Sequence, residues 1–92
     1  PLAGTILWAE AQEHYVRIVT TEETRLVLCR FSDLIRELPE NDGFQVHRSH
    51  WVAFQSIEER IQEGQSTKLL LATGDKVPVS RSYRKRASER LI

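Results

Sequence analysis

The apolar positions of this chain repeat with period two over most of its length and switch once to helical spacing. Thr5 to Ala9 is a short apolar run that predicts a strand. From His14 to Thr20 the residues alternate, with Val16 and Ile18 on one face and Tyr15 and Arg17 on the other, as in a half-buried strand. Glu22-Glu23 is a polar turn and Thr24 to Cys29 a returning strand, so residues 14–29 predict a hairpin. The period then changes. Phe31, Leu34, Ile35 and Leu38 fall on one side of a helix, with Ser32 as its cap and Pro39 as its stop.

Beyond the helix, Asn41-Asp42-Gly43 is a turn of strong local type. Phe44 to His47 and Trp51 to Phe54 are short strand candidates. Ile57 to Gln62 fits either a charged edge strand or a turn of helix. Lys68 to Thr73 and Lys76 to Val79 predict a second hairpin around Gly74-Asp75. Pro78 places the later strand at a sheet edge or a strand end. Residues 82–91 could form a closing helix, with Ser80 or Ser82 at its start. The fold class is therefore mainly β: a small antiparallel domain of short strands, with one short helix after the third strand. Periodicity alone leaves barrel, sandwich and open roll undecided.

Ninety-two residues, 40 % hydrophobic and 28 % charged, suit one soluble domain with a single small core. No apolar run approaches a membrane span and no signal peptide opens the chain. The chain starts at Pro1, so it is expected to be a piece of a longer protein. Cys29 is the single cysteine, which excludes an internal disulfide and a cysteine-built metal site. Within Leu26-Val27-Leu28-Cys29 it reads as a packed or edge thiol, and a reducing cytoplasm fits.

Formal charge is zero, with 13 basic and 13 acidic residues, yet the charges are unevenly spread. From Arg81 onward the chain has five basic residues against one acid, Glu89. One face can meet a polyanion while the whole stays neutral. Two cationic knots follow strands: His47-Arg48-Ser49-His50, and Ser80-Arg81-Ser82-Tyr83-Arg84-Lys85-Arg86. Cations with small hydroxyls grip phosphates and read base edges. The plainer reading of Arg48 is a surface cation paired with Asp42 or Glu40. For the second knot it is a solvated helix face. Catalysis has no support: no Gly-x-Ser-x-Gly turn, no phosphate-cradling glycine loop, no zinc spacing around His14, His47 and His50. No cofactor is expected.

Taken in order, Ile6-Leu7-Trp8-Ala9-Glu10-Ala11 with His14-Tyr15-Val16-Arg17-Ile18, then Phe31-Ser32-Asp33-Leu34-Ile35-Arg36-Glu37-Leu38, then Phe44-Gln45-Val46-His47-Arg48-Ser49-His50-Trp51-Val52, then Val77-Pro78-Val79-Ser80-Arg81-Ser82-Tyr83, resemble the LytTR DNA-binding domain of bacterial transcription regulators. The match runs from about Thr5 to Leu91, so residues 1–92 read as a single domain of a longer regulator. One departure is Ala53, where many members carry asparagine; the position reads as structural.

The resemblance implies several short, mostly antiparallel strands in small sheets, and binding of promoter DNA through loops that enter successive major grooves and bend the duplex. It maps His14, Arg48 and Arg81 to base-reading positions, with Ser49, His50, Ser80, Arg84 and Lys85 as neighbouring phosphate or base contacts. It also implies a regulatory domain elsewhere in the full-length chain and two copies meeting paired direct repeats. Two other readings stay open: a protein-interaction or dimerisation module using the sheet edges, and a structural domain whose basic tail binds anions non-specifically.

Overall fold

A computed structural model describes residues 2–83. Five strands and then three form two antiparallel sheets. The first has the order β3-β2-β1-β5-β4, from β1 (Ile6–Gln12), β2 (Tyr15–Thr20), β3 (Thr24–Leu28), β4 (Gly43–His47) and β5 (His50–Ala53). The second has the order β6-β7-β8, from β6 (Ile57–Glu63), β7 (Ser66–Leu71) and β8 (Lys76–Val79). The helix α1 (Phe31–Glu37) joins β3 to β4, and a 3-10 turn (Phe54–Ser56) joins the sheets.

Both faces of the five-stranded sheet are covered, so alternate residues along a strand serve different cores. Trp8, Phe44, Val46 and Val52 face the second sheet, where they meet Leu69, Leu71, Val77 and Val79. Their neighbours Ala9, Trp51 and Ala53, with Val16 and Ile18, face the other way, toward Phe31, Leu34, Ile35 and Leu38 of the helical segment. The helical spacing of those four residues is what lets α1 lie on that face. Leu69 and Leu71 are fully enclosed, so truncating either to alanine costs on the order of 2–5 kcal/mol. Ala53, where the resemblance marks a departure, is buried in the helix-side core.

Three local expectations change and one open segment is decided. The helix is capped by Arg30 without a side-chain bond, and Ser32 lies inside it; the docking of Phe31 on the sheet sets the start. The first strand, predicted to end at Ala9, continues to Gln12: Glu10 pairs with both Arg17 and His50. Cross-strand partners on both sides outweigh the weak strand preference of glutamate. Residues 57–62, open between strand and helix, are strand β6, because β7 supplies its hydrogen bonds. Gly43 belongs to β4 rather than to the preceding turn; a Cβ there would collide with the Val52 carbonyl, the Trp51 ring and Ala53. Pro78 does lie in an edge strand. Helical geometry begins at Arg81–Tyr83; the remainder of the closing helix proposed for 82–91 lies outside the described residues.

Candidate nucleic-acid interface

Two chain reversals and the end of β8 meet at one end of the five-stranded sheet. Glu13-His14 joins β1 to β2, and Arg48-Ser49 joins β4 to β5. The Ala11 N–H donates to the Ser49 carbonyl at 2.8 Å, which ties the two turns together. Where β8 ends, the Ser80 N–H donates to the Val46 carbonyl at 3.0 Å, so Arg81 emerges beside the close of β4. Residues 14, 48 and 81, far apart in the chain, thus share one end of the molecule, and all three are exposed.

The Arg48 turn is braced from below. The Ser49 N–H donates to Nδ1 of His47 at 3.1 Å, and the Ser49 carbonyl is held by Ala11. Ser49 is therefore fixed through its backbone, while the Arg48 side chain is left outside. Among the described residues Arg48 makes no ion pair, so the pairing with Asp42 or Glu40 that the sequence allowed is not formed. Arg48 instead borders a depression of about 550 Å³ with Arg30, Ser32, Arg36, Gln45 and Glu13. Arg36 is held by Asp33 at 2.6 Å, which leaves Arg30 and Arg48 as the cations most available to an incoming anion.

Arg81 is steadied rather than neutralised, since its guanidinium donates to Oε1 of Gln65 at 3.1 Å. It borders a second depression, of about 320 Å³, with His47, Lys68 and Ser80. Ser80 Oγ is enclosed and has no partner among the described residues. His14 follows Glu13, whose φ of 51° is left-handed, an uncommon setting for a residue other than glycine. Arg84 and Lys85 lie outside the described residues.

His50 is placed differently from the other members of the first knot. It is buried, and its Nδ1 accepts a hydrogen bond from Trp8 Nε1 at 3.0 Å. Burial lowers its pKa below the ordinary imidazole value; Glu10 opposes the shift and His47 adds to it. Arg17 stacks over the Trp8 ring at 4.9 Å, and the rings of His47 and His50 meet edge-on at 5.2 Å. Sequence reasoning missed Trp8, Arg17, Arg30 and Gln65. None stands near a knot in the chain; strand pairing and the α1 connection bring them there. Among the described residues no group of three or more His, Cys, Asp or Glu could hold a metal, and no helix is long and apolar enough to cross a membrane.

The chain is 32 % identical over 81 residues to the sensory transduction protein LytT of Bacillus subtilis (strain 168), covering 87 % of this chain. It spans about a third, 34 %, of that relative's length. The fold matches the LytTr DNA-binding domain of a methyl-accepting/DNA response regulator from Bacillus cereus. The TM-score is 0.84 at 23 % identity, over 95 % of this chain and 81 % of that one. The family model for the LytTr DNA-binding domain matches residues 3–92, and this chain belongs to that family.

Proposed function

We propose that this domain reads double-stranded promoter DNA in a sequence-specific way, as the DNA-contacting part of a cytoplasmic bacterial transcription regulator. The observation that carries the reading is the gathering of His14, Arg48 and Arg81 at one end of a braced β scaffold. Arg48 and Arg81 are assigned to base edges. An arginine donating two bonds to guanine discriminates by about 1–3 kcal/mol per base pair. Tips spread over one end suit entry into successive major grooves with bending, at a cost on the order of 1–6 kcal/mol offset by added contacts. Ser49, Arg84 and Lys85 are assigned to phosphates or flanking bases, and Arg30 joins them from the α1 side; Ser80, whose hydroxyl is enclosed, holds the Arg81 junction through its backbone instead. His50 supports the Arg48 hairpin from beneath rather than touching DNA, because its ring is enclosed and one nitrogen is engaged. The domain acts by binding alone, without catalysis. A regulatory domain elsewhere in the longer chain governs it, and two copies occupy paired direct repeats.

Selection of duplexes from a random pool, followed by footprinting of the winner, tests this. A recurrent motif protected in neighbouring major grooves on one side of the duplex is the expected result. Equal affinity for all duplexes at fixed salt would instead leave a basic surface that binds anions without reading them. No binding at any salt would favour a protein-interaction module.

A further inference from the structure

An edge strand offers unpaired backbone groups, and natural sheets blunt such edges with bulges, proline or charge. Among the described residues, three of the four edge strands do so. β4 has a register shift between Gln45 and His47. β6 has one between Ile57 and Glu59 and exposes Glu58, Glu59 and Arg60. β8 has Pro78. β3 has no such device: its register with β2 is unbroken from Leu28 to Thr24. Leu26 and Leu28 are 57 % and 72 % exposed on one face of it, and Tyr15, opposite Leu28, is 47 % exposed. Its single charge, Arg25, belongs to the other face and is held by Glu23 at 2.8 Å.

We propose that the free edge of β3 is a self-association surface, on which a second copy of this chain pairs antiparallel about Leu26. Backbone parity favours a copy of itself. The Thr20 N–H donates to the Glu23 carbonyl at 2.8 Å. The hydrogen-bonded pairs between β2 and β3 are therefore Ile18 with Arg25 and Val16 with Val27. The backbone groups of Thr24, Leu26 and Leu28 then point outward. A two-fold about Leu26 sets Leu26 against Leu26 of the second copy and Thr24 against its Leu28, so outward-pointing groups meet outward-pointing groups throughout. Among β3's own residues nothing opposes this register: Arg25, its single charge, lies on the other face and is held by Glu23. The contact is isologous, with one patch used twice.

The two copies lie head to foot, so the Glu13-His14 and Arg48-Ser49 turns of each remain uncovered at opposite ends of the joined sheet. This pairing is distinct from two copies side by side on direct repeats, and it does not depend on DNA binding.

Sedimentation velocity of the chain without DNA, over a wide concentration range, tests the proposal. A monomer–dimer equilibrium is expected. Leu26→Lys should weaken it about tenfold or more, since like charges would stand directly opposite across the two-fold. Leu28→Lys should weaken it as well, because a charge on an edge strand opposes the addition of another strand. Thermal midpoints confirm that each variant is folded. Amide exchange of the parent chain gives a reading without substitution: the N–H groups of Leu26 and Leu28 should slow as concentration rises. A monomer at every concentration, or a dimer indifferent to both Leu26→Lys and Leu28→Lys, would overturn the proposal.

Discussion

Trp8 Nε1 donates to His50 Nδ1 at 3.0 Å, directly beneath the hairpin that carries Arg48. The bond settles which imidazole nitrogen bears hydrogen: Nδ1 is the acceptor, so the neutral ring carries its proton on Nε2. With Arg17 over the indole and His47 against the imidazole, the hairpin stands on packed rings. The base contact proposed for Arg48 would gain from such a mount, because a side chain already placed loses less freedom on binding.

Acid should loosen this mount. Burial holds the His50 pKa below 6.5, and protonating Nδ1 would set an N–H against the indole N–H. Below pH 6.5 the unfolded chain takes up a proton that the folded chain resists. The His50 contribution to stability is therefore level above that pH and is lost as pH falls through the folded value. His50→Gln keeps an acceptor for Trp8 and removes the titration. Its thermal midpoint should fall less than the parent's between about pH 7 and about pH 5. Parallel falls in the two proteins would show that His50 does not couple pH to folding.

Arg81→Ala should relax sequence preference at one or two base pairs while leaving folding stability within about 0.5 kcal/mol, since the side chain is exposed. Competition between selected and random duplex measures it. An equal loss on both would reassign Arg81 to phosphate.

Lys85→Ala should behave in the opposite way. As a phosphate contact it should weaken every duplex alike and reduce the slope of log affinity against log salt by about 0.9. Titrations at several salt concentrations decide, and an unchanged slope would remove Lys85 from the interface.

Gly43→Ala should destabilise the domain by about 1–3 kcal/mol, the usual range for forced overpacking. The added methyl has no room between the Val52 carbonyl and the Trp51 ring. Urea unfolding gives the value, and a change inside experimental error would mean that β4 and β5 can part without cost.

The amino-acid order was enough to place most of the elements. Val16 and Ile18 alternating with Tyr15 and Arg17, and Phe31, Leu34, Ile35 and Leu38 at helical spacing, are local patterns set by backbone geometry, and each recurs in the fold. The two cationic knots were visible for the same reason: their members are neighbours in the chain. The segment 57–62 stayed undecided because its charges fit either period, and only pairing with β7 resolved it.

Proximity across the fold belonged to the tertiary structure. The Ala11–Ser49 and Ser80–Val46 bonds bring two turns and the end of β8 together at one end. The meeting of Trp8 with His50 turns one residue of a cationic knot inward, while its neighbour Arg48 stays outside. Composition cannot separate those two neighbours, because what decides each one's exposure is a strand from elsewhere in the chain. A local pattern encodes the direction of a side chain from its own backbone; what it then meets depends on pairings that long-range burial and hydrogen bonding select.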